Sequence, residues 1–485
     1  MQTVEFEYLD RIRETLLDLA PELTLCVVII ALVICTMFRS SRTIFLITLA
    51  GVVIHLLLVL YNARVLVEPL NVADMLSIDP WSSWFKVMIS IAALLTILMS
   101  RQQRLEYYVL IIAILLGADL LMISTHFIMI LLSIELISIS SYVLVAGTHP
   151  DKARSEAAWK FFIFGSAATA VMIFGLSYLF GATGTAGLAG LASEADPGMM
   201  AVGCLMTFAG LLFKMTAAPF HLWAPDVYQA TPSPVVAYLS VVPKLAGLVV
   251  VTRFIYHLPV QPADWSAVIA GFAILSIIAG TLAALAQRDA KRMMAYSTVA
   301  QTGFLLTGVA SVMFTSTDAF YAMAFYAFVF LLMNYAVFIV IQAREEAGGT
   351  VLFTDFAGTG YSAVIPAVTI TIAFVSLVGL PPVAGFTAKL LVFTTLWAKF
   401  AATHGFILVV LFVIGLVATV VSLFFYLKIP FYMFFRQAEQ KEPLKISRST
   451  NYLLLFLVGI LFALFFFPSV FDWLGGWGIK RNFRL

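Results

Sequence analysis

The sequence predicts an all-α polytopic membrane protein with about fourteen transmembrane helices. It also predicts two inverted five-helix repeats, each containing one broken helix. Three observations carry this. The 485 residues are 62% hydrophobic and only 11% charged, where a soluble domain carries roughly 25% charged residues. Apolar stretches of about 20 residues recur along the whole length, as bilayer-spanning helices require; a β-barrel would show short alternating segments instead. Two of these stretches are interrupted by Pro or Gly beside a lysine, at Pro219 and at Gly379-Leu380-Pro381-Pro382. Polar stretches are too short for a soluble domain.

In chain order, spans are expected near 21–38, 43–62, 83–100, 107–124, 127–147, 157–181, 200–218, 233–256, 265–287, 293–313, 318–342, 362–400, 405–434 and 451–470. Residues 1–20 are acidic, with Glu5, Glu7, Asp10, Glu14 and Asp18. A cleavable signal needs a basic start, so the first apolar run reads as a retained span. Span 7 ends at Pro219 and is followed by a short semi-apolar piece from Phe220 to Tyr228. Span 12 is too long for one plain helix, and its Gly-Pro run breaks it. Lys214 precedes the first break and Lys389 follows the second. Five spans separate the two broken helices, and an odd offset requires opposite topology. Spans 4–8 are therefore matched to spans 9–13. The domain division that follows is 1–106, 107–256, 265–434 and 435–485.

Loop charge gives orientation. Loops after spans 1, 3, 5, 9, 11 and 13 carry Arg39, Arg42, Arg101, Arg104, Lys152, Arg154, Arg288, Lys291, Arg292, Arg344, Arg436, Lys441, Lys445 and Arg448. The other side has Arg64, Arg253 and Lys399. The positive-inside rule places the odd loops in the cytoplasm and both termini on the periplasmic side; Arg11, Arg13 and the tail residues Lys480, Arg481 and Arg484 argue mildly against this. The net charge of +2 and the lack of a basic patch interleaved with aromatics argue against nucleic-acid binding. Cys26, Cys35 and Cys204 fit neither a zinc nor an iron–sulfur spacing and read as apolar packing residues.

Four ionisable residues lie deep in apolar segments: Glu135, Lys214, Lys244 and Lys389. A charge at the bilayer centre costs about 2.5–3.5 kcal/mol on insertion scales. Such residues mark ion or proton paths unless they are static packing partners. Glu135 has no basic residue within a turn, so its partner must come from another helix. A Glu135–Lys214 pair would lower the cost of both charges and could act either as a proton switch or as a fixed salt bridge. Lys244 follows Pro243 at mid-span and is too deep to reach an interface, which makes it the most specific carrier candidate. Lys389 could pass a proton on or cap the broken end. Weaker candidates are His221, a relay or a structural hydrogen-bonding residue, and Asp119, a partner from span 4. Lys160 with Glu156 reads as interfacial, and Asp226 as a cap of the short piece after the break. The glycines at 181, 184, 187 and 190 lack a nucleotide-site context and read as a flexible loop.

These motifs resemble the antiporter-like subunits of respiratory complex I. The resemblance rests on SIELISISSYVL, FKMTAAPFHLWAPDVYQATPSPV, QRDAKRMMAYSTVAQTGF and GLPPVAGFTAKL, and covers spans 4–13. Within that family the chain is most similar to the N type of NADH–quinone oxidoreductase. The L type has a long extra C-terminal helix, and the M type has glutamate where this chain has Lys389. The L and M types often carry histidine where Gln301 stands, so a relay there would need water or neighbours such as Thr302 and Tyr296. The resemblance implies a proton-translocating subunit with Glu135 and Lys214 at one half-channel, Lys244 central and Lys389 toward the exit. It implies no cofactor on this chain, with FMN, iron–sulfur clusters and quinone on other subunits. It also implies partners among the antiporter-like M and small K/J-type membrane subunits, within the inner-membrane bilayer. The alternative is a subunit of a multisubunit cation/proton antiporter, or of a related membrane-bound hydrogenase or dehydrogenase.

Overall fold

The computed structural model describes residues 17–35, 41–66, 69–101, 103–147, 151–192, 196–258, 262–312, 317–348, 350–437, 444 and 446–471. The acidic N-terminus, the basic tail, Arg39, Lys441 and Lys445 lie outside them. The helices are α1 (Ala20–Cys35), α2 (Ser41–Val65), α3 (Pro80–Met99), α4 (Leu105–Ile123), α5 (Phe127–Ala146) and α6 (Lys152–Thr183). Then follow α7 (Pro197–Met215), α8 (Ala224–Ala230), α9 (Ser233–Tyr256), α10 (Pro262–Leu285), α11 (Ala290–Ala310) and α12 (Asp318–Glu346). The chain continues through α13 (Val364–Val378), α14 (Ala384–Thr403), α15 (Phe406–Tyr426), α16 (Lys428–Phe435) and α17 (Arg448–Phe466). Among the described residues, eleven helices are long and apolar enough to cross a membrane, and α1 and α13 are shorter apolar helices.

Burial sorts these helices into a centre and a periphery. The apolar windows of α9 and α12 are 100% buried, whereas those of α17 and of the α15–α16 stretch are 22% and 28% buried. The central helices are the ones that carry polar groups at membrane depth. A polar side chain there needs protein on every side, because lipid offers no hydrogen bond. α9 packs against α3, α4, α7, α11 and α12, so Lys244 on α9 sits at the middle of the bundle.

Both predicted breaks are present. α7 stops at Met215, with Thr216 left-handed (φ 60°), and the short α8 begins at Ala224. α13 stops at Val378, with Gly379 left-handed (φ 88°), and α14 begins at Ala384. Span 13, expected as one helix, is interrupted at Leu427 between α15 and α16. Pro430 has no N–H with which to continue the ladder there. The glycine-rich stretch, read as a flexible loop, is fastened to the start of α5: Phe127 donates to Ala186 O (2.8 Å) and Leu188 to Thr125 O (2.8 Å). Gly181 belongs to α6, and Gly184 caps it in the left-handed region.

A short antiparallel hairpin, β1 (Leu70–Val72) with β2 (Leu76–Ile78), links α2 to α3 and was not foreseen. It is held by Arg253, whose guanidinium donates to Asp79, to Ser77 O (3.2 Å) and to Met122 O (2.9 Å). Arg253 is 1% exposed and Lys399 is 2% exposed. Lys399 donates to Ser266 and to Val312 O (2.7 Å). Two of the three cations counted on the far side are therefore internal fasteners. Their partners nonetheless all come from the starts or ends of spans on that side.

The second break depends on close backbone approach. Gly385 donates its N–H to Ser376 Oγ (3.0 Å), and a Cβ at Gly385 would overlap the Ser376 carbonyl. Gly385→Ala should therefore separate α14 from the end of α13, destabilising the subunit by roughly 1–3 kcal/mol, the usual cost of overpacking. A lowered thermal midpoint of the purified complex, or loss of this subunit from it, checks this. An unchanged midpoint would refute the close-packing account.

Candidate functional site

Each broken helix leaves backbone carbonyls without their intrahelical donors. One helix, α11, runs past both broken ends and supplies donors to each. Thr302 Oγ1 donates to Met215 O (2.9 Å) at the end of α7. Its neighbour Gln301 donates through Nε2 to Leu377 O (3.2 Å) at the end of α13. Gln301 is also the hub of a hydroxyl network. Tyr326 donates to Gln301 Oε1, Gln301 Nε2 donates to Tyr426 Oη (3.1 Å), and Tyr426 Oη bonds Ser297 Oγ. All four side chains are buried.

The predicted lysines line up along this centre. Lys214 occupies the last turn of α7 and is 6% exposed. Its Nζ donates to Ser138 Oγ and lies near the rings of Phe213 (5.5 Å) and Tyr142 (5.9 Å). Among the described residues no ion pair joins it to Glu135. The expected direct pair is replaced by a contact one turn further along α5, at Ser138. Glu135 is half-buried and close enough to act on Lys214 through space. A short polar side chain reaches the amine without dehydrating the carboxylate, which lowers the combined cost.

Lys244 is fully buried on α9, and its Nζ has no hydrogen-bond partner in the protein. Pro243 interrupts the α9 ladder beside it. A small cavity of about 10 Å³ lies between Lys214, Ser141, Trp223 and Pro243, close to the least volume that admits one water. His221 is half-buried in the turn after the first break, with its Nδ1 unpartnered and its ring 6.3 Å from that of Tyr296. It acts electrostatically on the same region as Lys244. Lys389, 5% exposed, donates to Val378 O (2.8 Å), and its Nζ sits 4.4 Å from the Phe304 ring centre. It caps the broken end of α13. Lys214 and Lys389 lie on opposite sides of their breaks in sequence, yet both stand at the C-terminal end of a half-helix, where the helix dipole favours a cation.

Asp119 does not serve this centre directly. Its Oδ2 lies 2.6 Å from His55 Nε2, and both side chains are fully buried. Asp226 does not cap α8; it accepts from Lys160 Nζ (2.9 Å) and Arg292 Nη1 (2.9 Å). Burial acts against its ionised form, but these two cations outweigh it and hold its carboxyl below the usual aspartate value. Lys160 also pairs with Glu156 (2.8 Å) and remains interfacial. Sequence reading missed Ser138, Tyr326, Tyr426, His55, and the buried Lys86–Glu22 pair. The last three ionisable residues stand within or at the edge of apolar runs and carried the same signal as Glu135. The tyrosines and serines carried none, because such residues are common in spans.

The site thus gathers buried lysines and hydroxyls around the ends of two broken helices. The family model described as NADH:quinone oxidoreductase/Mrp antiporter, transmembrane, matches residues 124–422. Relatives named NADH-quinone oxidoreductase subunit N include one from Chlorobium chlorochromatii, 36% identical over 75% of this chain and 73% of its own length. A second, from Symbiobacterium thermophilum and named subunit N 2, is 32% identical over 92% of this chain and 93% of its own. Among solved structures, a chain of respiratory complex I from Thermus thermophilus with bound aureothin superposes with a TM-score of 0.81, at 27% identity over 93% of this chain and 98% of that one. An Mrp complex from Dietzia shares the fold, with a TM-score of 0.85 at 17% identity over 97% of each chain.

Two outcomes follow. Gln301→Leu strips partners from Leu377 O and two buried hydroxyls, so it should destabilise the subunit by about 1–3 kcal/mol; Thr302→Val should cost less. Thermal unfolding of the complex measures both, and equal midpoints for Gln301→Leu and wild type would refute the network. Asp226→Asn should lower the midpoint at neutral pH. Because the native carboxyl titrates below 3.8, its stabilisation is present above that value and disappears as pH falls through the native titration. Wild type and variant should therefore converge in acid, and a pH-independent difference would contradict the ion-pair account.

Proposed function

The chain belongs to the subunit N branch of the NADH:quinone oxidoreductase/Mrp antiporter membrane family, and from that premise we infer how it moves protons. It is a multi-pass membrane subunit of NADH–quinone oxidoreductase that couples electron transfer to proton translocation and carries no redox centre of its own. The observation that bears most weight is Lys244, fully buried and unpartnered at the centre of the bundle.

In this reading a proton enters near Glu135 and Lys214. Loading Glu135 removes the negative charge that favours an ammonium at Lys214, from which Ser138 Oγ accepts a hydrogen bond. Lys214 and Lys244 are like charges in a medium of low dielectric, so occupancy of one disfavours occupancy of the other. A small cavity beside Lys214 and Pro243 is close to the size of one water. His221, in the turn after the first break, faces Tyr296 on α11. From there the proton reaches Lys389 by water beside Gln301, whose amide holds the Tyr326 and Tyr426 hydroxyls in place and does not itself relay a proton. Moving a charge against 100 mV costs about 2.3 kcal/mol, so the line needs a driver, supplied by charge shifts in neighbouring subunits.

The finer assignments belong to the same proposal. Fourteen crossings are divided as 1–106, 107–256, 265–434 and 435–485, with the second and third blocks as inverted repeats. Their support is the shared device of a half-helix whose broken end is met by α11 and accompanied by a lysine. The membrane is the bacterial inner membrane, with both termini periplasmic. Support for this comes from the cluster of Lys160, Arg292, Lys291 and Glu345 on one face. The partners are the M-type subunit and small K/J-type subunits.

Lys244→Ala in the assembled complex should abolish most proton pumping and lower NADH oxidation with it. Pumping by vesicles, read with a pH-sensitive dye beside NADH consumption, tests this. Normal pumping and turnover in an assembled variant would sink the buried-lysine route.

A further inference from the structure

Helices α1 to α4 hold a second set of buried ionisable groups, all of them N-terminal to the family-matched stretch. Lys86 on α3 donates to Glu22 on α1, and both side chains are at most 5% exposed. One turn beyond Lys86, Ser90 Oγ donates to Lys86 O (2.6 Å) and lies 3.1 Å from His55 Nδ1 on α2. His55 Nε2 lies 2.6 Å from Asp119 Oδ2 on α4. Asp119 Oδ1 is buried without a protein partner.

The heavy-atom arrangement admits two proton counts. Ser90 has one O–H, which can lie on Lys86 O or on His55 Nδ1. With it on Lys86 O, the serine presents a lone pair to Nδ1, so Nδ1 carries a hydrogen and the 2.6 Å contact between Nε2 and Asp119 Oδ2 holds a second one. With it on Nδ1, the ring keeps only Nε2–H, donated to the carboxylate.

The two states differ by one proton. When a water takes the Nδ1 proton, the Ser90 hydroxyl turns from Lys86 O to Nδ1 and Nε2–H stays on the Asp119 carboxylate. The unit then changes from net neutral to −1, with every donor still placed. Its surroundings can feel that change. Asp119 acts electrostatically on Tyr238, which is on α9, the helix of Lys244, and α9 packs on both α3 and α4. Titratable or charged groups on the helices around His55 and Asp119 are Glu22, Cys26 and Cys35 on α1, Arg42, Tyr61 and Arg64 on α2, Lys86 on α3, Glu106, Tyr107 and Tyr108 on α4, Glu135 and Tyr142 on α5, and Tyr238, Lys244, Arg253 and Tyr256 on α9.

We propose that His55, Asp119 and Ser90 form a second proton-binding site, beside the lysine line, whose charge state biases Lys244 through α9. This rests on the proton-translocating reading above. The ligand is a single proton, and Ser90 is a positioning residue that selects the tautomer.

The test uses the assembled complex in vesicles and reads the pH profile of NADH-driven pumping. His55→Gln and Asp119→Asn should each displace the profile midpoint by about one pH unit or more. The double variant should match the singles, because the two residues hold one proton between them. Ser90→Ala should also displace the midpoint while leaving assembly intact. Wild-type profiles in His55→Gln and Asp119→Asn would overturn the proposal. Should those complexes fail to assemble, an unchanged profile in Ser90→Ala overturns it alone. Lys244→Ala separates the two readings. If it pumps normally, the translocation route itself fails; if it does not pump while the other variants keep wild-type profiles, only the second site fails.

Discussion

Backbone carbonyls exposed by helices that stop inside the membrane are the constraint on which this structure depends. Lipid cannot satisfy them, and each unsatisfied group costs several kcal/mol. α11 meets both demands with two adjacent residues, Gln301 for α13 and Thr302 for α7. Adjacent helical positions point about 100° apart, which lets one helix serve two neighbours on different sides. The polar centre is thus the price of having broken helices at all, and the proposed proton route runs where those partners must be.

The broad plan was legible from the chain because membrane insertion makes its rules visible. Lys214, Lys244 and Lys389 stand out since a charge in an apolar run has few reasons to exist, and the breaks stand out since Pro and Gly cannot continue a helix. What stayed hidden depends on third parties. Ser138 takes the place expected for Glu135 beside Lys214, and nothing in a serine inside a helix announces that. Tyr326 and Tyr426 are joined only because Gln301 lies between them. Arg253 and Lys399 sit near span ends and read as loop charges, although both are buried and bonded to carbonyls. His55, Glu22 and Lys86 carried the same signal as Glu135, but their pairings across α1 to α4 are set only by the packing of those helices.

The central and exit-side lysines differ in a way that bears on the proposed transport. Lys389 is bonded to Val378 O, at the end of a half-helix. When it gives up a proton, its amine keeps two N–H donors, so the carbonyl stays capped and the break does not have to be rebuilt. Lys244 has no such anchor. In the proposed route, Lys244 can therefore gain or lose a proton without breaking any hydrogen bond to the protein, whereas Lys389 is the end whose cap on the broken helix survives in either state.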